Sequence, residues 1–160
     1  MIGRRRVLGG VFALTPSWAF PAAGGDVGAS ATGLVRPRSL VTELRKAVLA
    51  RRALVILVSL EHCPYCQVVR DSYLLPLHAA GQPAVEIDMH NESVLLDMHG
   101  RRSTQRSVAK DFRVRVAPTV LFLGRDGSEA AERLEGLSSR DFYGAYLEQR
   151  LQAANQAVAA

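Results

Sequence analysis

The 160-residue chain has only two cysteines, Cys63 and Cys66. Two cannot supply the four thiolates of a closed zinc ribbon, nor the several bridges of a disulfide-stapled miniprotein. Aromatic residues are scarce, at 6% with one tryptophan, and no basic stripe is interleaved with them. That argues against a nucleic-acid partner. The formal charge of +5 does not revive one, because Arg4, Arg5 and Arg6 supply three of those charges and leave +2 for the rest. No apolar run reaches the roughly 20 residues that span a bilayer. There is no second C-x-x-C and no repeat of domain scale. What is present, 48% hydrophobic and 22% charged residues, is the composition of a globular domain with its own core.

The N-terminus reads as an export signal over residues 1–19. Arg4-Arg5-Arg6 is its charged region, Val7 to Leu14 its short apolar region, and Pro16 breaks the run before Ser17-Trp18-Ala19 offers a cleavage site. Arg4-Arg5-x-Val7-Leu8 also resembles a twin-arginine signal, so both the Sec and twin-arginine routes stay open. Either implies a periplasmic protein with no stable membrane insertion after cleavage, in a compartment that permits disulfides. Residues 20–36, rich in glycine, alanine and serine, read as a flexible linker. A folded domain is expected over 37–152 and a frayed tail over 153–160.

Within the domain, Leu54 to Leu60 is a continuous apolar run, as for a central strand buried on both faces. It leads into Cys63-Pro64-Tyr65-Cys66 and then a helix-compatible segment, Gln67 to Leu75, which Pro76 should end or kink. A cysteine in the first turn of a helix meets free amide donors and partial positive charge, which stabilise the thiolate. A second cysteine three residues on can close a small ring with it. That arrangement suits disulfide exchange with another protein. A structural disulfide, or a metal site completed by His62, His78, His90, His99 or carboxylates, are the alternatives.

Other elements follow in order. Ser39 can cap a helix to about Arg52, with Leu40, Leu44, Ala47, Val48 and Leu49 as its apolar stripe. Ala84 to Asp88 is a second strand, and Val94-Leu95-Leu96 reads as a short strand or a helical turn. Ser103 can cap a helix carrying Val108, Ala109 and Phe112. Thr119 to Leu123 and Glu129 to Leu134 flank Gly124-Arg125-Asp126-Gly127 as a hairpin, closed by Gly136. Ser138 or Ser139 caps a last helix with Phe142, Tyr143, Tyr146, Leu147 and Leu151 apolar. The expected core is Leu44, Val55, Ile56, Leu57, Val58, Val85, Ile87, Phe112, Val120, Leu121, Phe122, Leu147 and Leu151. This order predicts an α/β fold, a central mixed sheet of four or five strands flanked by helices on both faces.

The strand with its Cys-Pro-Tyr-Cys, together with the segment from Phe112 through Val116-Ala117-Pro118-Thr119, the hairpin and the last helix, resembles a thioredoxin-fold thiol–disulfide oxidoreductase over about Leu40 to Leu151. The resemblance implies a cis peptide bond at Ala117–Pro118, with Pro118 beside the cysteines and the preceding backbone pairing with a substrate strand. It implies Cys63 as nucleophile, Cys66 as resolving thiol, and a rim of His62, Pro64, Tyr65, Ala117 and Pro118. It calls for no cofactor beyond the redox-active Cys63–Cys66 disulfide, and no metal. Its partners are proteins with thiols or disulfides and a membrane electron donor, and the chain is expected to be a monomer.

The departures are specific. Pro118 follows Cys66 by 52 residues, longer than in small thioredoxins, with the extra length near His90 to Arg102. The buried acid that many thioredoxins carry falls at Leu57 and is absent, and His62 stands where a tryptophan is usual. The short chain and cleavable signal look most like the envelope branch associated with sulfur oxidation, with apocytochrome c reduction as a second role. A disulfide oxidase or isomerase is an alternative. So is a copper-handling protein, because Asp88-Met89-His90 and Asp97-Met98-His99 repeat one tripeptide of copper-ligand residues.

Overall fold

The computed structural model describes residues 33–137 and 139–160. The expected export signal and most of the expected linker lie outside that range, as does Ser138. The described end of the linker is not free: Leu34 is buried, and Val35 forms a parallel bridge to Val85.

Ser39 caps α1 (Leu40–Leu49), its hydroxyl accepting the Thr42 N–H at 3.2 Å. The helix stops short of Arg52. Arg51 sits in the left-handed region at φ 55°, and the Arg51 and Arg52 amides bond back to Val48 and Ala47. Leu49 is consequently 86% exposed rather than part of the buried stripe.

β1 (Leu54–Ser59) is the centre of a four-stranded sheet of order β2-β1-β5-β6, formed with β2 (Ala84–Asp88), β5 (Thr119–Leu123) and β6 (Glu129–Glu135). β2 runs parallel to β1, while β5 and β6 run antiparallel to their neighbours. All six β1 residues are buried, which explains the unbroken apolar run. Val55 and Leu57 face one core layer, closed by the helical run after the cysteines and by α5 (Arg140–Ala159). Leu54, Ile56 and Val58 face the other, closed by α1 and α4 (Gln105–Asp111). Each full burial is worth about 1.5–3 kcal/mol.

The extra length around residues 90–102 forms a separate two-stranded sheet, β3 (Val94–Leu96) with β4 (Arg102–Thr104). Val94-Leu95-Leu96 is therefore a strand. Leu95 plugs the second core layer, and the Leu96 amide bonds to the Arg38 carbonyl.

The structure corrects three further expectations. Pro76 does not end its helix: α2 (Pro64–Val68) passes through a π-helical turn, Val69–Leu74, into α3 (Leu75–Ala79). In that turn the Leu75 amide bonds to the Arg70 carbonyl, a widened ladder that accommodates a proline one residue later. The tail from Ala153 is not frayed but forms the last turns of α5, held by buried Ala154 and Val158. Phe112 is only partly buried, while Phe142 and Tyr146 are 63% and 53% exposed, so only Tyr143, Leu147 and Leu151 of the predicted helix stripe face the core.

Candidate functional site

Cys63 is the N-cap of α2, with φ −89° and ψ 107°, and its Sγ accepts the Cys66 N–H at 3.1 Å. Pro64 takes the first helical position, where a missing N–H costs nothing. The two cysteines are joined in a disulfide with their Cα atoms 5.2 Å apart. Cys63 is half-buried, whereas Cys66 is completely buried. An incoming sulfur therefore meets Cys63 first.

Tyr65, between them, is 56% exposed, and Pro64 is exposed as well. His62 adopts a left-handed backbone at φ 58°, which turns the chain from β1 into the helix. Its ring is 89% exposed and stands 4.0 Å from the Glu61 carboxylate. The Ala117–Pro118 peptide bond is cis. Val58 pairs with Thr119, so Pro118 lies at the C-terminal end of β1, the end from which the Cys63 loop departs. Pro118 is buried and its carbonyl accepts the Gly136 amide at 2.7 Å. Ala117 is half-buried and Val116 is 46% exposed. An open polar cavity of about 620 Å³ adjoins this end, lined by Leu60, Glu61, Asp88 and residues 90–93. Another, of about 350 Å³, lies at the far end of the sheet by the β5–β6 turn.

Leu57, where an acid was looked for, is fully buried. The acid on this face is one strand over. Glu86 is the register partner of Leu57 on β2 and is 3% exposed. Arg70, in the π-helical turn, clasps it with two bonds of 2.6 Å, Nε to Oε2 and Nη2 to Oε1. That contact with Glu86 holds the Arg70 guanidinium protonated even more firmly than usual, outweighing the cost of its burial. Sequence reading missed both residues. The signal was a glutamate inside an otherwise apolar strand and an arginine four positions after Cys66.

The repeated Asp-Met-His tripeptides have a structural explanation. In each, the aspartate Oδ1 accepts the N–H of the histidine two residues on, at 2.8 Å in both. Each aspartate thus closes a local turn. Asp97 goes further, its Oδ1 also taking the Arg101 amide and its Oδ2 the Arg101 side chain. Among the described residues no group of three or more His, Cys, Asp or Glu is placed to hold a metal ion. Nor is any helix there long and apolar enough to cross a membrane.

Comparison with known proteins agrees with this geometry. A family model described as a thioredoxin-like domain matches residues 40–151. No curated protein sequence matches the chain. Among solved structures, a thioredoxin-fold protein from Helicobacter pylori shares 14% identity at a TM-score of 0.51, covering 67% of this chain and 73% of its own. The DsbH oxidoreductase shares 13% identity at a TM-score of 0.51, covering 84% of this chain and 96% of its own. The periplasmic thioredoxin SoxS from Paracoccus pantotrophus shares 19% identity at a TM-score of 0.44, covering 64% of this chain and 98% of its own. At such identities the likeness speaks to the fold alone.

Proposed function

The chain belongs to the thioredoxin-like family, whose fold with a Cys63–Cys66 disulfide points to a thiol–disulfide oxidoreductase, and we propose from that premise that it reduces disulfides of partner proteins in the bacterial envelope. The observation that carries this reading is the asymmetry of the pair, with Cys63 half-buried at a helix start and Cys66 sealed behind it. In the proposed exchange the Cys63 thiolate attacks a substrate disulfide and forms a mixed disulfide. Cys66 then attacks the Cys63 sulfur, the partner leaves as a thiol, and the Cys63–Cys66 bond is restored. Two electrons pass to the partner. The disulfide is the redox group, and no separate cofactor is called for.

Tyr65, Val116 and Ala117 border the approach, with the backbone ahead of Pro118 offered to an extended peptide. The arginine-rich start of the chain supports export to the periplasm. The reducing direction follows from the compartment: where the surroundings oxidise, a small thioredoxin serves by keeping chosen cysteines reduced. The partners proposed are sulfur-oxidation carrier proteins or apocytochrome c, with electrons drawn from a membrane donor.

The test is capture. Cys66→Ser removes the resolving thiol, so the variant should accumulate mixed disulfides through Cys63 with envelope proteins, and Cys63→Ser should accumulate none. A Cys66→Ser protein that traps nothing, beside a wild type unable to reduce a model disulfide, would defeat the proposal. Direction is read from the potential: about −270 mV marks a reductase and about −120 mV an oxidase.

A further inference from the structure

β1 and β2 end side by side, with Ser59 the register partner of Asp88. Ser59 is small and buried, and its hydroxyl donates to the Ile87 carbonyl at 3.3 Å rather than to the aspartate. Asp88 is 4% exposed. Its amide donates to the Gln105 side chain at 2.7 Å, and its Oδ1 accepts the His90 amide at 2.8 Å. No hydrogen bond among the described residues reaches its Oδ2, and that oxygen is not sealed from solvent. Asp88 instead lines the open polar cavity of about 620 Å³ at this end of the sheet. A carboxylate this buried, with one oxygen unpaired, is costly until a donor reaches it.

The rest of the lining says which donor fits. Glu61 and Glu92 stand at the rim, with side chains 81% and 62% exposed. Arg106 is the cation nearby, and Glu92 engages it at 2.9 Å. His62 and His90 are exposed and carry charge only when protonated. Three carboxylates thus stand against one arginine, a balance that favours a cation. Leu60 adds apolar surface for the stem of a lysine or arginine.

Position ties the cavity to the reactive sulfur. Glu61 precedes Cys63 by two residues. The order β2-β1-β5 puts Asp88 on one side of β1 and the strand that Pro118 enters on the other. A partner whose disulfide meets Cys63 lies between them. Neighbouring strands are about 5 Å apart, and two residues of extended chain advance about 7 Å. A long side chain two residues from the attacked cysteine has the reach to enter the cavity.

We propose that this cavity is a cation subsite of the exchange reaction, in which Asp88 accepts a lysine or arginine of the partner polypeptide and so selects disulfides flanked by basic residues. This rests on the proposed exchange and specifies its substrate class. The cation supplies the donor that Oδ2 lacks, and Glu61 and Glu92 draw it in.

The probes are three short peptides, each with one cysteine in a disulfide with thionitrobenzoate. They differ only in carrying lysine, methionine or glutamate at both positions two residues from that cysteine. The reduced protein's Cys63 thiolate attacks the peptide sulfur, and thionitrobenzoate leaves as a coloured thiolate. Cys66 then loses its proton to solvent and attacks the Cys63 sulfur, and the peptide leaves as a thiol. The protein dithiol is oxidised to a disulfide and the probe is reduced to two thiols, so no other oxidant or reductant is needed.

The lysine peptide should react about tenfold faster than the methionine peptide, the low end of what a hydrogen bond between charged groups contributes. The glutamate peptide should be slowest. Asp88→Asn keeps an oxygen for the His90 amide and removes the charge, so its lysine-to-methionine ratio should fall to near one. The ratio cancels any change in the reactivity of Cys63 itself. Should Asp88→Asn fail to fold, the wild type at about 0.5 M salt decides, because salt screens exposed charges far more than a seated pair. A ratio that persists supports the subsite, and one that collapses to near one reveals diffuse attraction by the rim and overturns it. Equal wild-type rates across the peptides, or a ratio untouched by Asp88→Asn, overturn the subsite and leave the exchange standing. A protein that releases thionitrobenzoate from none of them refutes the exchange reading itself.

Discussion

The reactivity of Cys63 can be set against a number. In the disulfide form the Cys63 sulfur is the N-cap, with the Cys66 amide pointing at it from 3.1 Å, and the same cap is expected to serve the freed thiolate. A hydrogen bond to a charged acceptor contributes about 1.5–3 kcal/mol and one to a neutral acceptor about 0.5–1.5 kcal/mol. The thiolate therefore gains about 1–1.5 kcal/mol over the thiol from that bond. The helix N-terminus adds about 0.3–1 kcal/mol. Together these come to about 1.3–2.5 kcal/mol, and at 1.36 kcal/mol per pH unit Cys63 should ionise about 1–2 pH units below the ~8.5 of a free cysteine. The assay is ultraviolet thiolate absorbance against pH in reduced Cys66→Ala protein, which keeps the donating amide and leaves one thiol. His62→Ala in the same background should leave the curve in place, because the ring is 89% exposed and turned toward Glu61. A Cys63 that titrates at about 8.5 or above would show that the cap does not activate it. A curve that moves with His62→Ala would transfer the role to the histidine.

Three other perturbations follow from the packing. Gly127→Ala should lower the urea midpoint without changing the m-value, by about 1–2 kcal/mol or more, since φ is +80° and the added Cβ would stand 3.3 Å from the Met98 Cβ. Unchanged stability would refute that packing. Tyr143→Phe should be neutral or stabilising by about 1 kcal/mol, because its hydroxyl is buried without a partner and burial pushes its pKa up; a clear loss of stability would reveal a missing partner. Burial alone would raise the Asp97 pKa, but bonds from the Arg101 amide and side chain and the His99 amide outweigh it and hold it low. A depressed folded-state pKa means stability that is present above the unfolded value of about 3.9 and lost as pH falls through the folded value. The deficit of Asp97→Asn against wild type should therefore be full above the unfolded value and close as the pH falls through the lower folded one; a deficit constant with pH would sink the assignment.

Much of this molecule was legible in the chain because local chemistry dictated it. Five consecutive apolar residues, Leu54 to Val58, rich in β-branched side chains and followed at once by a turn, read as a strand with no solvent face. A cysteine followed by proline at the first helical position fixes a cap, and two glycines around Arg125-Asp126 fix a hairpin. Those signals act within a few residues, and so did the cap at Ser39. Helix ends were harder to read. Arg51 and Arg113 occupy the left-handed positions where glycine usually marks the stop, at φ 55° and 54°, so composition conceals the ends of α1 and α4. The stretch after Cys66 misled for a related reason, since a π-helical turn lets the run absorb Pro76.

What only the tertiary structure decided was partnership across distance. The tripeptides at 88–90 and 97–99 look like ligands in sequence and are turn closures in space, because each aspartate spends its oxygen on a nearby amide. Leu57 seemed to leave the cysteine face without an acid. Register then placed Glu86 beside it and Arg70 above, sixteen residues apart in the chain and 2.6 Å apart in the fold. No periodicity encodes that pair, since a charge in a buried strand is tolerable only when another element delivers its counter-charge, and delivery is a property of the assembled sheet and helix.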